Sequence, residues 1–192
     1  MGRAPYSVIK QLGKIAPRTA YDQFLKDPKY LKWRSLAILL LAQSDQATDR
    51  QYVLDSFQAA QRLGLASNLA AWAAAAVEVQ GIEAIDFIEG NYFQQKDKPV
   101  EEVRAVSQAL AILGSQSNSA YRDRIVDGFR QLIIYHPVVA SEIADDLQEW
   151  RQFELADQMS EILLNQDSLG YEARHSIQQY IRAAESSKVR DE

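Results

Sequence analysis

Two histidines, His136 and His175, are the only imidazoles in the chain, and there is no cysteine. Thiol nucleophiles, disulfides and thiolate metal sites are therefore excluded. A zinc-type site needs three or four ligands at close spacing, and two histidines thirty-nine residues apart do not supply it. His136 precedes Pro137 at the end of an apolar stripe, where a capping or surface role is the plain reading. Phosphate loops, dinucleotide fingerprints, serine elbows and Ser-x-x-Lys patterns are absent from the sequence. What remains is carboxylate chemistry: a pair of acids in a groove can act as general acid and base when one is desolvated. Glu142, Asp145, Asp146 and Glu149 fall on one face of a helix, and like charges at that spacing cost about 0.2–0.5 kcal/mol per pair. A basic partner or a divalent cation would relieve the repulsion; the plain reading is a solvated outer face. Beside them, Trp150 is either a partner anchor or a side chain packed between helices.

A second pattern has the opposite charge. Lys10, Lys14, Arg18, Lys26, Lys29 and Lys32 alternate with Tyr6, Tyr21, Phe24, Tyr30 and Trp33, the pattern of a surface for single-stranded nucleic acid or an anionic membrane. Residues 1–34 carry eight basic and two acidic side chains, a local net charge of +6, within a chain whose net charge is −5. Residues 141–167 reverse this, with eight acids against Arg151 alone. The acidic remainder argues against a long nucleic acid lying along the whole molecule, because phosphate affinity is built from many positive contacts.

The elements that must position these groups read as helices. At 192 residues, 47% hydrophobic and 24% charged, the chain has the composition of one soluble globular domain able to bury roughly 70% of its unfolded surface. The longest apolar runs, Leu36 to Ala42 and Leu69 to Val77, are too short to cross a bilayer, and the first residues lack the apolar stretch of a signal peptide. Proline, glycine and small polar residues interrupt a helical periodicity at regular intervals. After a leading segment over 5–15, five hairpins are expected: 17–26 with 28–43, 48–64 with 67–80, 82–95 with 99–114, 119–135 with 137–149, and 151–166 with 169–185. First helices of hairpins two to five start at intervals of about thirty-five residues, the spacing of stacked helical repeats. Helix 67–80 has no charge before Glu78 and should be central; Tyr121, Ile125, Phe129 and Leu132 form a stripe widened by Val126, Ile133 and Ile134.

The stretch Pro99-Val100-Glu101-Glu102-Val103-Arg104 through Ala109-Leu110 to Leu113-Gly114 resembles the second helix of a HEAT repeat of the short bacterial type, one residue shorter between Val-Arg and Leu-Gly. The resemblance implies an all-α fold, a right-handed α-α superhelix of the HEAT, armadillo and tetratricopeptide kind. It also implies a structural ladder between a turn aspartate and a helix arginine, carried here by Asp97 with Arg104. By position the same role extends to Asp27 with Arg34 and to Asp167 with Arg174, seven residues apart in each case and seventy residues from pair to pair. Hairpins two and four lack the pair, with Leu69 and Val139 where the arginine would stand.

The function expected from these features is a non-enzymatic scaffold or adaptor that binds another protein on a concave helical surface, without cofactor or metal. Lys29, Lys32 and Trp33 would lie toward one end of it, and Glu142, Asp145, Asp146, Glu149 and Trp150 toward the other, so that a polar partner is held in one orientation. The same polarity would allow head-to-tail self-association. The alternatives are nucleic-acid or anionic-surface binding through the basic first hairpin, an enzyme with an acidic groove, and a stretch of a longer solenoid that meets only its neighbouring repeats.

Overall fold

Helix-forming residues between proline and glycine stops produce helices throughout the computed structural model, which describes residues 11–14, 18–116, 120–165 and 169–188; none of these residues is in a strand. The chain, read above as one domain, divides after Ala84 into two compact units, and the division falls inside a helix, α5 (Ile82–Ile88).

The first unit contains α1 (Arg18–Lys26), a 3₁₀ segment (Pro28–Trp33), α2 (Arg34–Ala42), α3 (Ala47–Leu63) and α4 (Leu69–Gln80). Each has a local cause. Asp27 caps the 3₁₀ segment by accepting the Lys29 N–H (2.9 Å), and Pro28 fills its first position. Gly64 ends α3 at φ 62°, a left-handed position that a residue with Cβ resists. In α4 the alanine run is buried on nearly every side, Leu69, Ala71 and Ala73 to Val77 all being buried, in keeping with its missing charges. Small side chains let α2 and α4 approach closely, and α2 also touches α1 and α3. Ile38, Leu41 and Val53 join Ala71 and Ala75 in the core, each large aliphatic contributing about 1.5–3 kcal/mol by burial. The Asp49 carboxylate is buried at the start of α3, where it accepts from the Ser44 hydroxyl (2.7 Å) and from the Arg18 guanidinium.

The second unit continues from α5 through a π-turn (Glu89–Phe93), α6 (Val100–Gly114), α7 (Arg122–Tyr135), a 3₁₀ turn (Pro137–Val139), α8 (Ala140–Glu149), α9 (Ala156–Asn165) and α10 (Tyr171–Lys188). Helices two apart in sequence touch: α6 with α8, α8 with α10, α7 with α9.

Besides the 3₁₀ starts at Pro28 and Pro137, where regular helix was expected, two boundaries differ from expectation. A continuous helix was expected over 82–95, and its last turn is instead π-helical, the Gln94 N–H reaching the Glu89 carbonyl (2.9 Å). The widened turn places both Tyr92 and Phe93 inside, fully buried, which two adjacent large side chains on a regular turn do not readily achieve. The fifth hairpin begins at Ala156 and not at 151. Arg151 adopts φ 59°, and the Gln152 and Arg151 N–H groups close back onto the Leu147 and Gln148 carbonyls (2.9 and 3.0 Å), a Schellman stop with arginine where glycine is usual.

Candidate functional site

Of the ladder pairs implied by the HEAT resemblance, Asp27 with Arg34 and Asp97 with Arg104 are engaged otherwise among the described residues. Asp27 gives its carboxylate to the backbone of its own 3₁₀ turn, while the Arg34 Nε is buried without a hydrogen-bond partner among the described residues. Asp97 is exposed, and Arg104 turns to Glu101 one turn before it (2.8 Å) and to Glu142 on α8 (2.5 Å). A carboxylate three residues away on the same helix, and another on the facing helix, are nearer than an aspartate two turns back. Asp167 lies outside the described residues; Arg174 donates to the Leu169 and Leu163 carbonyls (3.2 and 3.4 Å), closing the end of α9. Charge pairing between hairpins runs through other residues. Arg124 on α7 binds Asp86 on α5 and Glu89 in the π-turn, and Arg130 reaches Glu154 (3.0 Å). The Glu142 hydrogen bond is the largest influence on Arg104 and holds its guanidinium above its usual pKa, outweighing the opposing effect of burial.

The expected acidic face is consequently smaller than four residues. Glu142 is engaged by Arg104, Asp146 is half-buried, and Asp145 and Glu149 stay exposed. Of the two alternatives for Trp150, the structure shows the packed one and not the partner anchor: it faces inward at 8% exposure. It stacks on Phe129 (6.2 Å, 12°), lies against the Arg122 guanidinium and donates its indole N–H to the Ser115 hydroxyl (3.1 Å). A flat, largely apolar ring gains more from this slot than from water, which is why it is not on the surface. His136 is likewise internal, at 4% exposure with Nε2 3.1 Å from the Tyr92 carbonyl, whereas His175 stacks on Tyr171 and meets Gln179 (2.7 Å). The two imidazoles are engaged separately, and among the described residues no group of three or more His, Cys, Asp or Glu is arranged to hold a metal.

In the first unit Lys29, Lys32 and Trp33 do come together, on the 3₁₀ segment and not on the regular second helix where they were placed. Tyr30 leaves helical geometry (φ −107°, ψ 21°), so α2 starts only at Arg34. The ammonium groups of Lys29 and Lys32 lie over the Tyr30 and Trp33 rings (5.6 and 6.0 Å).

A further feature of the second unit was not singled out from the sequence. The end of α7, the 3₁₀ turn and α9 enclose an open groove of about 260 Å³. Ile133, Ile134, Pro137 and Ile162 give it apolar walls, and Gln158, Glu161 and Asn165 line its polar side. Ile134 is 53% exposed although it belongs to the α7 stripe, and the Gln158 Oε1 is buried with no hydrogen-bond partner among the described residues. The available signal was the width of that stripe, since a helix apolar beyond its core face has surface left to cover. Buried tyrosines complete the unit's electrostatics: burial, and then the Glu102 charge, push the Tyr92 phenol well above its ordinary range. Burial pushes Tyr180 up to about 12, against a lowering by the Leu155 backbone and with a smaller push from Glu154. Compared with known families, with curated proteins and with solved structures, the chain finds no match.

Proposed function

We propose that this chain is a non-enzymatic interaction module, a HEAT-like stack of helical hairpins whose second unit seats a segment of another protein in the groove between α7 and α9. The touching of helices two apart within each unit supports the α-α superhelical reading, since stacked hairpins require it. One observation carries the binding reading: the groove is lined both by exposed Ile134 and by Gln158, whose buried Oε1 has no hydrogen-bond partner among the described residues. An unsatisfied buried acceptor costs about 1–3 kcal/mol, and an incoming N–H donor removes that cost. The groove is smaller than the roughly 300–1,000 Å³ of small-molecule pockets and open to solvent, which suits one or two side chains of a peptide. Residues 85–192 hold eleven basic and nineteen acidic side chains, so the favoured segment pairs an apolar residue with a neighbouring lysine or arginine.

Selection of a displayed peptide library on the purified chain tests this. Enriched peptides should combine aliphatic and basic residues, bind in about the high-micromolar to millimolar range that one buried side chain together with one satisfied acceptor allows, and shift the NMR signals of Ile134 and Ile162. Ile134→Asp should weaken them about tenfold or more, and Gln158→Leu should weaken them while stabilising the fold. Selected peptides that bind both variants as well as the native chain would refute the groove as the site.

A further inference from the structure

The 3₁₀ segment of the first unit presents an anomaly that the groove reading does not use. Its six residues are Pro28, Lys29, Tyr30, Leu31, Lys32 and Trp33, and none of them is buried. Leu31 is 53% and Trp33 47% exposed, although two such side chains would ordinarily be the first to be covered. The element is nevertheless held in place: Asp27 caps it, and Tyr30 meets Phe24 of α1 edge-on at 5.2 Å. Exposed lysines border the apolar pair, Lys29 and Lys32 within the segment and Lys26, 75% exposed, just before it.

We infer that this edge binds the surface of an anionic lipid bilayer, with Trp33 and Leu31 entering the headgroup region and Lys26, Lys29 and Lys32 facing the lipid phosphates and carboxylates. Tryptophan favours the interface because its ring is amphipathic, and lysine stems reach past apolar side chains to keep the ammonium in water. Charge complementarity selects the occupant: residues 1–34 have a net charge of +6, while the whole chain is at −5, so attraction is confined to this end. Leu31 distinguishes a bilayer from single-stranded nucleic acid, whose bases need aromatic platforms throughout and gain little from an exposed aliphatic. Attachment would be peripheral, as no helix among the described residues is long and apolar enough to cross a membrane.

Sedimentation of the full chain with vesicles of phosphatidylcholine, alone or mixed with phosphatidylserine, tests the inference. Binding should require phosphatidylserine and weaken with added salt. Each lysine near an anionic surface contributes roughly fivefold, so Lys29→Ala with Lys32→Ala should reduce partitioning about 25-fold. Lipids brominated near the headgroup should quench tryptophan fluorescence in the native chain and much less in Trp33→Phe. These residues are exposed, and circular dichroism should show unchanged folding for every variant. Failure to sediment with phosphatidylserine vesicles at low salt overturns the inference, as does equal binding to both vesicle types or indifference to the lysine changes. Binding to an oligonucleotide without binding to vesicles overturns it in favour of a nucleic-acid surface.

Discussion

Replacing Gly114 by alanine should destabilise the second unit even though alanine is the better helix former. A Cβ built on Gly114 would lie 2.4 Å from Cη2 and 2.6 Å from Cζ2 of Trp150, far inside the ordinary van der Waals distance. The indole has to move by about 1 Å or more to clear it, and its neighbours oppose the movement. Phe129 stacks on one face, Arg122 lies over the ring, and the indole N–H is held by the Ser115 hydroxyl. Overpacking of this kind costs about 1–3 kcal/mol, while the propensity gain is at most about 1 kcal/mol and smaller at the last residue of α6. A net loss of about 1–2 kcal/mol follows, seen as a fall in Tm of roughly 3–8 °C in far-UV circular dichroism. Gly90→Ala is the control, since nothing lies within 4 Å of its Cβ position. The decisive measurement is a double-mutant cycle with Trp150→Leu, in which the smaller side chain should make Gly114→Ala harmless. A rise in Tm for Gly114→Ala, or a cost that is the same in both backgrounds to within about 0.5 kcal/mol, would refute the packing argument.

Other expectations are narrower. Asp49→Asn should cost the first unit about 2 kcal/mol in urea unfolding. A buried charge pair is lost, but Arg18 is 36% exposed and can regain water, so the effect falls below the roughly 3–5 kcal/mol of a fully buried pair. A double-mutant cycle on Arg104 and Glu142 should show a coupling of about 0.5–1 kcal/mol, and one on Arg104 and Asp97 none; the reverse would restore the turn aspartate as the ladder partner. Alkaline pH should weaken the fold through Tyr180. Its phenol is held up at about 12 when folded, against an ordinary value near 10, so above pH 10 the unfolded chain loses that proton first. The stabilisation is complete below pH 10 and disappears between about pH 10 and pH 12, amounting to roughly 2–3 kcal/mol. Urea midpoints measured across that range should fall less steeply in Tyr180→Phe; Tyr92, pushed the same way by burial, leaves a residual slope. An identical pH dependence in Tyr180→Phe would exclude this role.

The helices and their stops were legible because they depend on residues close in sequence. Gly64, the charge-free run from Leu69 and the α7 stripe all act within a turn or two, and each took up the structure its neighbours required. The exceptions arise where a distant contact decides. Arg151 occupies a left-handed position that composition would assign to glycine, and the π-turn exists because Tyr92 and Phe93 are both enclosed by other helices. Charge partners are hardest to read for the same reason. A seven-residue offset tells which face of a helix an arginine occupies, but not which carboxylate the next hairpin brings opposite it. Arg104 illustrates the point, because Glu142 is thirty-eight residues away and Asp97 only seven, yet Glu142 is the one within reach. The acidic face loses a member by that pairing, Trp150 is withdrawn from the surface by Gly114 and Phe129, and the surface left to bind a partner is the part that internal packing does not use. On α7 that remainder is Ile134, and before α2 it is Leu31 and Trp33. Both proposals rest on these exposed apolar residues beside ordered backbone, because the members of the charge runs are partly consumed within the fold.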